Sequence, residues 1–473
     1  MKLKNHYIII LSVGIMFCTS LPPTWAQSDL SQPQIIKLTI TPAPETSPAL
    51  HYQFLPEFPD QIPGNAVPLY YQAVMMLPVI DKSEDYQDKI IAWLDLPIQD
   101  LPQEEVHTFL KSFDDMLHQL SLAAHREQCQ WDFPIRSEGI EVVLPALGKF
   151  RTIARIVALK ARLQTAQGDY HGAIDTLQTG FALAKHLGQG GTLIHDLVAI
   201  AITGLLLNEV QQIIQAPDSP NLYWSLAGLH PPFIDIRFSI NIEKDLIYLE
   251  FPQLRDINNM RLQFQQVTEI YQKLSEALGA NPDWEKKIMK PETIKLVYSQ
   301  ARKQLIDQGL SEEEVEQLPQ AHVVILFQLK EYEQMRDEIF KWFNVPYWQA
   351  RGPLKKTEQI LAEKTRISEK NPTVNPFLAI FPALDHAYLT QAKLDRNIAV
   401  LRYVEAIRMY AAQHEGALPQ TAAAITQVPL PIDPVTGKNF TYTRKGDTAL
   451  IEGAAPPGED ISHALRIELT IKN

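Results

Sequence analysis

Two periods of apolar residues run along this chain, and the longer one dominates. Between residues 103 and 125, Val106, Phe109, Leu110, Phe113, Met116, Leu117, Leu120 and Ala124 recur at i, i+3, i+4, i+7 spacing. That spacing predicts one amphipathic helix with a wide stripe facing a core. Residues 152–186 carry the pattern twice. Ile156, Leu159 and Leu163 mark a first helix, and Tyr170, Ala173, Ile174, Leu177, Phe181 and Ala184 a second. Gly168-Asp169 breaks the pattern between them, and small Ala residues allow close approach, so an antiparallel hairpin is expected. Residues 197–207 are apolar on every side but fall short of the ~20 residues a spanning helix needs, which predicts a buried helix. Residues 240–345 return to helix, with a capping box at Ser311-Glu312-Glu313-Glu314.

The period of two is confined to the ends. Ile36, Leu38 and Ile40 alternate with polar neighbours, and so do Leu465, Ile467, Leu469 and Ile471. Pairing of these two strands would tie the termini together. Before the second strand, Ile398, Leu401, Val404 and Ile407 predict a helix ending near residues 410–414. Short strands at 440–443 and 449–452 then flank a loop at 444–447. The expected fold class is mainly α: a helical-hairpin array with a small α+β C-terminal module. The segments are an N-terminal leader (1–26), an extended Pro-rich stretch with one strand (27–64), a helical-hairpin domain (65–216), a Pro-rich connector (217–239), a second helical region (240–395) and the α+β module (396–473).

The leader reads as a secretory signal peptide. Lys2 and Lys4 precede an apolar run over 7–18, and Thr24-Trp25-Ala26 offers small residues for cleavage after Ala26. Cleavage would take the net charge from −12 to −14, because the leader carries two Lys and no acid. Export to the periplasm or the extracellular space is expected, with no membrane span after cleavage. Scattered Lys and Arg on an acidic chain argue against nucleic acid, which needs a basic stripe.

Candidate chemistry is sparse. Of two cysteines, only Cys129 lies outside the leader, so no internal disulfide is expected. Its expected state is a small buried hydrophobe beside Trp131 and Phe133 rather than a nucleophile, since no basic partner is near in sequence. His107, His118 and His125 fall near one line, but 11 residues of helix span ~16 Å, too far for one metal. Asp114 with His118 is a closer pair, expected to be a solvated face. Gly188-Gln189-Gly190-Gly191 lacks the Lys-Ser/Thr of a phosphate loop and reads as an interhelix turn. His195-Asp196 reads as a capping or surface pair rather than a catalytic dyad. No metalloprotease, serine-hydrolase, dinucleotide or paired-cysteine motif is present. A pair of catalytic carboxylates has no sequence signature.

Three resemblances accompany these patterns. Gly168, Tyr170, Ala173, Phe181 and Ala184 resemble the second half of a tetratricopeptide repeat, over about one period of 34 residues, although the first-helix Trp is absent. Cys129-x-Trp131, Gly168-Asp169-Tyr170 and Asn221-Leu222-Tyr223-Trp224 together resemble a family of large exported bacterial helical proteins, which implies helices and no particular chemistry. Gly416-x-Leu418-Pro419, Asp433-Pro434, Gly437 and the following hairpin resemble the soluble part of type II secretion pseudopilins, without their leader and long apolar helix attached. That resemblance implies a calcium-holding loop at Asp433, whose plainer role is turn chemistry.

The expected function is an exported, non-catalytic helical scaffold or interaction protein of the cell envelope, with an envelope protein as partner and no cofactor. The alternative is an envelope polysaccharide hydrolase or lyase on a helical fold. Tyr170, Phe181 and Trp224 are expected to be structural in either case, and no residue is assigned to catalysis.

Overall fold

Helical spacing becomes helix nearly everywhere it occurs. The computed structural model describes residues 34–78, 85–133, 146–277, 290–370, 375–381 and 384–472. The leader and its cleavage site lie outside these residues. The chain runs β1 (Gln34–Ile40), β2 (Ile62–Asn65), α1 (Val67–Met75), α2 (Asp85–Asp95), α3 (Gln103–Leu110), α4 (Asp114–Ala124), β3 (Arg126–Gln128), α5 (Leu147–Ala166), α6 (Tyr170–Leu187), α7 (Leu193–Gln215) and α8 (Tyr223–Ala227). Then follow α9 (Arg237–Glu250), α10 (Phe264–Ala277), α11 (Pro291–Asp307), α12 (Glu312–Glu316), α13 (Gln320–Phe340), α14 (Tyr347–Lys370) and α15 (Leu384–Ala412). Five short strands close the chain: β4 (Ile432–Asp433), β5 (Lys438–Asn439), β6 (Thr441–Lys445), β7 (Thr448–Gly453) and β8 (Leu465–Ile471). The protein is mainly helical with a small sheet-containing C-terminal region, the expected fold class.

The chain divides into two compact units. The larger holds residues 34–132, 146–239 and 388–472 of the described chain. At its centre α5, α6 and α7 pack on one another in a three-way contact. The hairpin between α5 and α6 turns at Gly168, whose φ of +76° favours a residue without Cβ. Asp169 then caps α6 by accepting a bond from Gly172 N–H at 3.0 Å. Phe181 is fully buried, and Tyr170 donates its hydroxyl to Pro217 O at 2.6 Å. Helix α7 carries the apolar run and begins at Thr192, its N-cap.

The four-stranded sheet of this unit has the order β1-β8-β7-β6. The expected pairing of the terminal strands is present: β1 and β8 run parallel, with Gln34 opposite Leu465 and Ile40 opposite Ile471. Leu38, Ile40, Ile451, Leu465, Ile467 and Leu469 fill its buried face, as period-two alternation requires. The β6–β7 hairpin turns on Gly446 and Asp447 alone, tighter than the expected four-residue loop, and Gly446 supplies the positive φ.

Two expectations change in form. The single helix over 103–125 is two helices, α3 and α4, joined by a 3₁₀ turn at Lys111–Phe113. Phe113 leaves helical backbone angles, while Asp114 and Asp115 suit the positive end of a new helix. The stripe survives the break, because Val106, Leu110, Phe113, Met116, Leu117 and Leu120 are all buried. The Pro-rich residues 217–239 pack into the larger unit. Asn221 donates to Ala43 O and Glu405 O at 3.3 and 3.0 Å, and Tyr223 is fully buried.

The smaller unit is centred on residues 240–387. Its core gathers Tyr271, Phe327, Tyr332 and Phe377 around α13, against which α11 and α10 pack. The capping box at Ser311 and Glu314 forms as the pattern predicts.

Candidate functional site

In the larger unit a groove of about 480 Å³ opens between β1, the 94–97 segment and α7. That volume falls within the range of ligand sites. Ile35, Ile36 and Lys37 of β1 form one wall, and Leu205, Asn208, Glu209, Gln211 and Gln212 of α7 the other. Arg162 of α5 forms the floor with Glu209, holding it in a fork at 3.0 Å through both Nε and Nη2. Its remaining Nη1 donates to the carbonyls of Leu94, in the last turn of α2, and Leu96, just beyond it, the latter at 2.8 Å. One buried guanidinium therefore caps a helix end and fixes a carboxylate. Burial raises the Glu209 carboxyl, and Arg162 opposes that rise. Desolvation also raises Asp95 at the rim, again against Arg162.

Each oxygen of Glu209 thus accepts one bond from Arg162. What remains of the polar lining is mostly carboxamide: Asn208, Gln211 and Gln212. One helical turn further, Gln215 Oε1 accepts a bond from Thr39 N–H at 3.2 Å, so a side-chain amide already stands where a neighbouring strand would sit. Carboxamides both donate and accept hydrogen bonds, so this lining can meet polar groups of either kind.

A second cluster surrounds Cys129. Its thiol lies 3.9 Å from the backbone carbonyl of His186, which also accepts from Trp131 Nε1 at 2.7 Å. Tyr70 Oη is 2.7 Å from His186 Nδ1, and Trp131 stacks on Tyr70 with ring centroids 6.2 Å apart. The cysteine therefore meets the backbone of His186, not its ring, and a nucleophilic dyad is not formed. Burial pushes the Cys129 thiol up to about 12 and holds His186 down at about 4. Cys129 is half-buried beside Trp131, close to its expected environment.

The other sequence candidates are placed as follows. His195 and Asp196 are both fully buried, which corrects the expected surface pair: Thr192 takes the N-cap, its hydroxyl 2.7 Å from His195 Nδ1. The pair sits beneath the 188–191 turn, where His195 lies so close to Gly190 that no Cβ would fit. His107, His118 and Asp114 are exposed, and His125 bonds Ser121 O at 2.8 Å. Among the described residues no group of three or more His, Cys, Asp or Glu is placed to hold a metal ion. Asp433 is buried, with Oδ1 accepting from Arg396 Nε and Val435 N–H, and Oδ2 from Arg396 Nη2 and Thr436. Turn chemistry and an ion pair account for all four contacts. Trp224 donates to Glu45 Oε1 at 2.7 Å.

The residues that sequence reasoning missed are Arg162, Glu209, Arg396, Arg408 and Glu405. Glu209 had a signal: it is a lone acid two residues past the end of an all-round apolar run, where a charge must be buried and paired. No known family, curated protein or solved structure matches this chain.

Proposed function

We propose that this protein is an exported, non-catalytic helical scaffold of the cell envelope that works by binding an envelope protein. The observation that carries this reading is the groove beside β1, where the buried carboxylate is locked by Arg162 and carboxamides supply the other polar contacts. Recognition sites have such linings, a mixed apolar and polar surface, and here the charges come in opposite signs: Arg162 with Glu209, and Lys37 with Asp95 at the rim. An exposed run on α1 adds a second sticky surface: Met75 and Met76 stand 81% and 46% accessible, beside Tyr71.

The polysaccharide-hydrolase alternative needs two carboxylates facing one another across open space. Asp95 and Glu209 both reach this groove, but the Arg162 fork engages both oxygens of Glu209. That engagement favours the binding role.

The test is a mild in-cell crosslink of the full chain, followed by purification and mass spectrometry. A stoichiometric envelope protein is the expected result. A clean monomer in the crosslinked envelope, together with release of reducing ends from purified envelope glycan that Asp95→Asn abolishes, would overturn it.

A further inference from the structure

We infer that the groove beside β1 is an edge-strand dock, which takes an extended, uncharged segment of a partner polypeptide as a fifth strand of the sheet. The inference rests on the binding role proposed above and names what is bound and how.

Strand β1 lies at the end of the order β1-β8-β7-β6, so one of its two backbone edges is not used by the sheet. Two bonds identify which residues face which way. Ile40 O accepts from Lys472 N–H, on the β8 side. Thr39 N–H points to the opposite side, where Gln215 Oε1 receives it. Backbone groups alternate along a parallel strand, so the amides of Ile35 and Lys37 share the outer edge with Thr39. Ile35 and Lys37 are also the residues of β1 that, with Ile36, line the groove. Gln215 closes the far end of this edge with a side-chain amide, and its own Nε2 is held by Gln211 O at 3.3 Å.

The opposite wall matches. Leu205, Asn208, Gln212 and Gln215 recur at i, i+3, i+7 and i+10 on α7 and present one stripe along β1. Carboxamides donate and accept, as a peptide backbone does. The outer edge of β1 and the Gln211 and Gln212 carboxamides therefore offer bonds to both sides of an inserted chain, the geometry of strand addition. The part of the edge that Gln215 leaves open, from Ile35 to Lys37, is ~7 Å long, which seats about three residues. Charge selects the segment. Arg162 and Glu209 neutralise each other in the floor, while Lys37 and Asp95 at the rim are of opposite sign. No net field favours a charged peptide, and burying one against Leu94 and Leu205 is costly.

The experiment places p-benzoylphenylalanine at Gln212 of the full chain and irradiates cells. The expected adduct maps to one contiguous, uncharged segment of an envelope protein. The synthetic peptide of that segment, labelled with a fluorophore, should then bind the purified protein in polarisation assays. N-methylation of alternate peptide bonds should weaken binding about tenfold or more, because it removes donors from the strand. Lys37→Pro should do the same. It deletes one outer-edge N–H, while the ladder to β8 uses Ile36 and Leu38. If Lys37→Pro misfolds, the N-methylated peptides still decide the matter on the unaltered protein. Adducts only to this chain's own residues 27–33 or to a second copy, no adduct at Gln212, or unchanged affinity after N-methylation would each overturn the inference. A stoichiometric partner that crosslinks elsewhere would overturn this dock alone and leave the scaffold role standing.

Discussion

Arg408 donates to both the carbonyl and the hydroxyl of Ser219, at 3.0 and 2.8 Å, across 189 residues of chain. The same guanidinium reaches Thr41 O at 3.0 Å and pairs with Glu405 one turn back on α15. One side chain thus fastens the segment leaving β1, the Pro-rich turn and the C-terminal helix together. Neither member of the Arg408–Glu405 pair is exposed. Breaking a buried pair strands a charge, at a cost of ~3–5 kcal/mol, whereas replacing both members removes that charge. Arg408→Met should therefore lower stability by about that amount in urea unfolding. The double variant with Glu405→Met should be less destabilised than Arg408→Met alone. A double variant that adds a further full loss would contradict this account.

Gly180 of α6 sets how closely α5 and α7 can approach. A Cβ there would lie 2.9 Å from both methyl carbons of Leu206 and 3.1 Å from Cγ1 of Val157. Both neighbours are fully buried and close-packed. Gly180→Ala is expected to cost ~1–3 kcal/mol through overpacking, despite the better helix propensity of Ala. Leu206→Ala in the same chain should relieve part of that cost, so a double-mutant cycle should show a favourable coupling.

How much of this was legible follows from what each pattern encodes. Helical spacing reports a buried stripe, so α5, α6, α7 and α15 were readable, and the 3₁₀ break at Lys111–Phe113 was not, because the stripe continues through it. The terminal strands were readable because alternation and matching length admit one good pairing. Gly168 and the Ser311 capping box were readable because their demands are local. The groove was not. It depends on a guanidinium on α5 meeting a carboxylate 47 residues later on α7, and on which edge of β1 stays outside the sheet. His195 and Asp196 misled because a polar pair at a helix start ordinarily faces water, and here it is closed over.

Cys129 should be a slow thiol. With its pKa near 12, thiolate is scarce at pH 8, and the reactive form is the thiolate. Against a free thiol, its reaction with Ellman's reagent in the native protein should be roughly a thousandfold slower, and it should become ordinary in 6 M guanidinium. Cys129→Ser should leave the fold intact, since the hydroxyl can still donate to His186 O. A fast native reaction would mean that the cluster with Trp131 and Tyr70 opens in solution.

Asp395 and the buried histidines bend stability with pH in opposite senses. Burial pushes the Asp395 carboxyl up to about 7, with Asp235 adding to the rise and Phe233 N–H opposing it. A raised folded-state pKa means that the fold favours the protonated acid. That contribution is complete below about pH 4 and is lost as the pH climbs through 7. Burial holds His186, His195 and His322 down at about 4. Their contribution is complete above about pH 6.5 and is lost as the pH falls through 4. Asp395→Asn keeps an oxygen for Phe233 N–H, at 3.0 Å in the native protein, and removes the ionisation. It should therefore be more stable than the parent at pH 8 and no more stable at pH 4. It should also lose stability more steeply on acidification, because only the histidine contribution then remains in that window. Urea midpoints at pH 4, 6 and 8 decide it: a constant offset between the two proteins across that range would show that Asp395 does not titrate there.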